Sequence, residues 1–130
     1  MALLNKYAYL LDVPSLTFND KLFSFLMKEK NRGVRVVLAT GSPVKIGNMV
    51  DLHLGNFFDK VIGSIDKTLI STNKLLAIRE YLSHVSGERK FLYIGDSVQD
   101  LAVWSGADFK ALVGDLRIAK EYGVNFDIIF

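Results

Sequence analysis

The sequence predicts an α/β protein with a three-layer, Rossmann-like fold and a small, mostly parallel sheet of about four or five strands. Three observations predict it. Segments that are apolar throughout, such as "VRVVLAT" (34–40) and "FLYIG" (91–95), read as strands buried on both faces. Other segments carry apolar residues at helical spacing. The two kinds alternate along the chain, as a parallel sheet covered by helices requires.

Asn19 is placed to cap the first helix, which has Leu22, Phe23, Phe25 and Leu26 as a wide apolar face and Gly33 where it stops. After the strand 34–40, Ser42 and Pro43 read as helix cap and first helical position. Ile46, Met49, Val50 and Leu54 then recur at helical spacing up to Gly55, marking an inward face. "KVIGS" (60–64) is a short strand. Thr72 is the expected cap of a helix with Leu75, Ile78, Leu82 and Val85 on one face before Gly87. "FLYIG" is followed by a short helix from about Val98, by "KALVG" (110–114) as a strand, and by a last helical turn or two around Ile118 and Ala119. The tail "VNFDIIF" is apolar enough for a further edge strand or an oligomer contact, and a homo-oligomer stays open.

The first residues allow two readings. Leu3, Tyr7, Leu10 and Leu11 fit one helical face, while "YAYLL" also reads as a buried strand ending in an acid, Asp12. A helix or linker is the expectation.

Composition narrows the function classes. With 130 residues, half of them apolar and no shift in composition, one domain over 1–130 is expected. Sixteen basic and fourteen acidic residues give a net charge of +2 without a basic cluster, so nucleic acid is not an expected partner. The absence of cysteine excludes disulfides, thiolate metal sites and thiol catalysis. No run approaches the ~20 apolar residues of a membrane span, and a soluble, cytoplasmic protein is expected. His53 and His84 have no partner at ligand spacing. Trp104, one turn beyond Asp100, is expected to pack against the sheet.

Three polar groups fall where parallel sheets bind ligands, at the carboxyl ends of strands. "ATGSP" offers Thr40, Gly41 and Ser42 at a helix N-terminus, a place that favours an anion. Lys74 lies in the first turn of a helix, where a cation opposes the macrodipole. Asp96 leaves a strand end and Asp100 follows one turn later, so both can converge on a hard cation such as Mg²⁺. Each has a plainer reading alone: Ser42 as a cap, Lys74 as a solvated lysine, Asp96 as a turn former.

Together, "VVLATGS", Lys74 opening a helix, and "FLYIGDSVQDLAVW" resemble the second, third and fourth motifs of the haloacid dehalogenase-like (HAD) hydrolases and phosphatases, over roughly residues 18–115. The resemblance implies that Thr40 binds a substrate phosphate, with Gly41 and Ser42 beside it. It implies that Lys74 offsets negative charge, that Asp96 and Asp100 hold or position Mg²⁺, and that a small phosphorylated molecule is the ligand. "LATGS", "HLGNFF" and "YIGDSVQDLAVW" are also similar to patterns in the phosphatase-like domains fused to UbiA-type membrane prenyltransferases. A receiver-type signalling domain shares Asp, Thr and Lys, but its phosphoaccepting Asp precedes the hydroxyl and lysine, whereas here the paired acids come after both.

The first HAD motif, D-x-D-x-T, is where the sequence departs. Asp12 in "YAYLLDVPSLTF" is the candidate nucleophile, but Pro14 replaces the second acid and Leu16 the threonine. Proline does no acid–base work. The segment also resembles the stretch downstream of the nucleophile and cap insertion in the prenyltransferase-fused relatives, an alignment that would start the chain beyond this motif. No room for a cap domain is evident. The expectation is a truncated or degenerate HAD-like domain with weak or no phosphatase activity. The alternative is an active Mg²⁺-dependent phosphohydrolase using Asp12.

Overall fold

The computed structural model describes residues 8–11, 20–64, 71–85 and 90–130. Its strands are β1 (Ala8–Leu11), β2 (Arg35–Pro43), β3 (Lys60–Ser64), β4 (Phe91–Gly95), β5 (Phe109–Leu112) and β6 (Ile128–Ile129). The helices are α1 (Asp20–Asn31), α2 (Val44–His53), α3 (Ser71–Ser83), α4 (Leu101–Gly106) and α5 (Arg117–Tyr122), with a 3₁₀ turn at Val98–Asp100 before α4. The strands form one sheet in the order β3-β2-β1-β4-β5-β6, and every neighbouring pair is parallel. This is the doubly wound order, in which the chain reverses direction across the sheet at its centre.

Two expectations change here. The sheet has six strands among the described residues instead of four or five, because the tail supplies β6 and residues 8–11 supply β1. The expected helix or linker is a strand over 8–11, while Leu3 and Tyr7 lie outside the described residues. The reason is tertiary. Leu10 pairs with Val37 on one side and Tyr93 on the other, so this segment closes a gap that would otherwise leave two edges unpaired in the middle of the sheet.

Alternation along the strands builds two cores. Val36 and Leu38 of β2 and Leu92 and Ile94 of β4 pack with Leu22 and Leu26 of α1. Val37, Ala39 and Tyr93 face the other way, against Leu75, Ile78 and Leu82 of α3 and Val103 and Trp104 of α4. Trp104 donates from Nε1 to the Ala111 carbonyl at 3.2 Å and stacks edge-on against Phe126, as a packing residue does. Gly33 (φ 86°) ends α1 in the left-handed region, as its sequence position suggested. The Asn19 cap lies outside the described residues.

Helix α2 sits differently from its sequence reading. Its inward contact is Gly47, where an added Cβ would lie 2.7 Å from Val61 Cγ1 and 3.3 Å from Thr40 Cγ2. Of the four apolar positions at helical spacing, Val50 and Leu54 are half-buried, with Leu54 packed against the core, whereas Ile46 and Met49 are 46% and 58% exposed. The close approach that glycine permits outweighs the apolar spacing. The cap position is Pro43, one residue beyond the expected Ser42, and α3 begins at Ser71, so Thr72 lies inside it.

At the amino edge of the sheet one device recurs three times. Asp59, Asp108 and Asp127 each precede an outer strand, and each carboxylate accepts the backbone N–H of the strand just inside: Val36 (2.7 Å), Phe91 (2.9 Å) and Lys110 (2.8 Å). Each aspartate's own N–H donates to the carbonyl of the same residue, at 2.7, 3.1 and 2.8 Å. The pairs fix where each parallel ladder starts.

Candidate functional site

The carboxyl edge of the central strands gathers the polar residues singled out in the sequence. Leu11 is in register with Leu38 of β2 and Ile94 of β4. Thr40 and Asp96 each lie two residues beyond those partners, on the strands flanking β1. Between Ala39 and Pro43, β2 advances four residues while β3 advances two, from Ile62 to Ser64. Such a bulge re-aims the chain at a strand end. Thr40, Gly41 and Ser42 lie within it, with Thr40 fully buried; of Ser42 only the backbone is described.

Lys74 comes to the same edge from α3. It is 2% exposed, which removes the plainer reading of a solvated lysine. Its Nζ lies 3.8 Å from Asp100 Oδ1 and donates to Tyr93 Oη at 3.4 Å. Tyr93 donates in turn to Asp100 Oδ1 at 2.6 Å. A buried cation needs this kind of compensation.

Asp100 and Asp96 divide their work. Asp100 is 1% exposed, and its Oδ2 accepts the backbone N–H groups of Asp96 (3.0 Å) and Ser97 (3.1 Å). Oδ1 is taken by Tyr93 and faces Lys74. With both oxygens engaged by protein donors, Asp100 holds the backbone of Asp96 and the charge of Lys74 in place. Asp96, just past β4, is half-buried and the more exposed acid of the pair.

Tyr93 and Gly95 touch this candidate cluster and were passed over by sequence reasoning. A Cβ on Gly95 would come within 2.6 Å of Asp100 Cγ and Oδ2, so only glycine lets that carboxylate fold back over the strand end. The available signal for Tyr93 was a hydroxyl inside an otherwise apolar strand, which must find a partner when buried. Asp12, Pro14 and Leu16 lie outside the described residues, so the separation of the Asp12 and Asp96 carboxylates does too. Among the described residues, no group of three or more His, Cys, Asp or Glu is placed to hold a metal, and no helix is long and apolar enough to cross a membrane. His84 is exposed, and the His53 side chain falls outside the description.

Solved structures share this architecture. A predicted phosphatase from Clostridium acetobutylicum superposes with a TM-score of 0.65 at 24% identity, covering 85% of this chain and 54% of that one. The 3-deoxy-D-manno-octulosonate 8-phosphate phosphatase of Yersinia pestis gives 0.66 at 14% identity, covering 97% and 72%. The enzyme of the same name from Moraxella catarrhalis, solved with magnesium, phosphate and KDO, gives 0.63 at 19% identity, covering 98% and 77%. The fold is that of the HAD-like phosphatases. In sequence, the chain is 29% identical over 101 residues to the uncharacterized protein y4nM of Sinorhizobium fredii, an alignment spanning 78% of this chain and 19% of y4nM. No protein-family profile matches the sequence.

Proposed function

We propose that this HAD-like chain binds a small phosphorylated molecule with Mg²⁺ at the carboxyl edge of β1, β2 and β4, and hydrolyses it slowly, with Asp12 as the attacking group. The observation that carries the reading is the central position of β1. Asp12 is joined by a peptide bond to Leu11, which pairs with β2 on one side and β4 on the other. The chain therefore leaves β1 between the strands that bear Thr40 and Asp96. A first strand ending in an acid fits the first HAD motif, and it favours the Asp12 reading over a chain that starts downstream of that motif. The match within 19% of y4nM fits the resemblance to phosphatase-like domains carried on larger proteins.

The donor set suits Mg²⁺, which binds through one or two carboxylates and keeps several waters. Asp96 and Asp12 would hold it, with the carbonyl of Pro14 as a further oxygen. When bound, the ion would neutralise phosphate charge. The Thr40 hydroxyl and the Lys74 ammonium would orient the phosphoryl oxygens. Asp12 would form the new bond to phosphorus while the ester oxygen departs, and water would then cleave the aspartyl phosphate, releasing inorganic phosphate and restoring the carboxylate. Position 14 offers that oxygen no proton, so an alkoxide leaves with difficulty and an aryloxide leaves readily.

The test compares an aryl with an alkyl phosphate in excess Mg²⁺. Slow release of phosphate from the aryl ester alone, abolished in both Asp12→Asn and Asp96→Asn, is the expected result. Turnover that survives Asp12→Asn would remove Asp12 from the mechanism. Absence of any turnover in a protein that still binds phosphate would establish the domain as a non-hydrolysing receptor.

A further inference from the structure

Helix α2 and strand β3 meet through two glycines, one contributed by each. Gly47 of α2 is buried against β3, where a Cβ would lie 2.7 Å from Val61 Cγ1 and 3.3 Å from Thr40 Cγ2. Gly63 of β3 is buried against α2, where a Cβ would lie 2.6 Å from the Val44 nitrogen. Val44 and Gly47 are three apart and share a helical face, while Val61 and Gly63 are two apart and share a face of the strand. The contact is reciprocal: each element gives up a side chain where the other presses. Its place matters as much as its closeness. Ile62 pairs with Ala39 and Ser64 with Pro43, so Gly63 stands opposite the bulge that holds Thr40, Gly41 and Ser42, a usual place for glycine in a strand. Strand β2 ends at Pro43 and α2 begins at Val44, with no loop between them to absorb a shift. The depth at which α2 seats on β3 therefore sets the position of the bulge and of the first helical N–H groups, which find no partner within their own helix.

We propose that Gly47 and Gly63 are positioning residues that seat α2 on β3 and so hold the anion side of the site, the Thr40–Ser42 bulge and the amino end of α2, at the carboxyl edge. The inference rests on the phosphate-site reading above and adds which residues fix that side. Val61 is β-branched and stiff, so it does not swing away from a methyl at position 47. The helix lifts instead, and the bulge joined to it moves too. Asp96 follows β4, which β1 separates from β2, so the metal side keeps its place.

The experiment titrates inorganic phosphate and Mg²⁺ separately by calorimetry into the full chain, Gly47→Ala, Val61→Ala and the double variant, with thermal unfolding alongside. Gly47→Ala should bind phosphate roughly tenfold more weakly, the scale of one hydrogen bond to a charged group, at unchanged Mg²⁺ affinity. Val61→Ala should melt lower, having lost packing, and bind phosphate as the wild type does. The double variant should return to within about threefold of wild-type phosphate affinity while its melting temperature stays low, because the space vacated by Val61 lets α2 seat again. Glycines with a merely structural role predict that affinity in the double variant falls with stability, and that result overturns the proposal. Unchanged phosphate affinity in a folded Gly47→Ala, or equal loss of both ligands, overturns it as well. A wild-type chain that binds no phosphate would overturn the phosphate-site reading, and the inference with it. If Gly47→Ala does not fold, NMR of the wild type decides: phosphate must shift the amide signals of Val44, Lys45 and Gly63, and signals that stay in place refute the role.

Discussion

Glycine at position 95 is what gives the Asp100 carboxylate its place. The Asp100 carboxylate lies where a side chain on residue 95 would begin, and it cannot step aside because its Oδ2 holds two backbone N–H groups. Gly95→Ala should therefore destabilise the protein by roughly 2–3 kcal/mol, the cost of forcing a methyl into a packed site, and should weaken phosphate binding as well. Thermal unfolding with phosphate calorimetry checks both, and a neutral substitution would mean that Asp100 is not held as described. At this scale the sequence singled out Thr40, Lys74, Asp96 and Asp100 by residue type, and the structure brings all four to the carboxyl edge of the central strands. Tyr93 was not singled out, because a tyrosine within "FLYIG" looks like any other apolar strand residue until its neighbours in space are known. Nor could the spacing of Asp96 and Asp100 reveal that one acid braces the other.

The elements divide the aspartates into two populations. Asp96 and Asp100 lie at the carboxyl edge beside Thr40 and Lys74, while Asp59, Asp108 and Asp127 at the amino edge clamp neighbouring strands. Asp108→Ala leaves the N–H of Phe91 without its side-chain acceptor and should lower stability by about 1–3 kcal/mol without altering phosphate or Mg²⁺ affinity. Urea unfolding together with calorimetry separates the two effects, and a change in ligand affinity would break the division between the edges. An aspartate before a strand reads as a turn former in one dimension, which hid the device. Half of the apolar face of α2 was misread for a related reason. Helical spacing ranks positions by apolarity, but the sheet accepted Gly47, the residue that lets the backbones approach, and left Ile46 and Met49 outside. By contrast β3, β4 and the face of α3 were legible, because continuous apolar runs and regular spacing there agree with the final packing.

For the whole molecule, β1 joins two parts of the sheet that are each continuous in sequence, β2 with β3 and β4 with β5 and β6. Four residues hold both. A proline at position 10 would remove a ladder hydrogen bond at the sheet's centre, so Leu10→Pro should cost about 3 kcal/mol or more. Urea unfolding measures it, and a loss near zero would show that β2 and β4 do not depend on β1. This strand was the least legible part of the fold. "AYLL" has no period of its own, and what makes it a strand is the pair of edges waiting on either side.

The position of β1 also sets an order of events. Its ladder with β4 joins residue 10 to residue 93, a closure that a chain makes only after the local β2–β3 and β4–β5 units have formed, since long loops lose the most entropy on closing. The pairing of β1 with β4, arriving last, contributes little to the folding barrier and much to the barrier against opening. Damage to it would show as faster unfolding at a nearly unchanged folding rate.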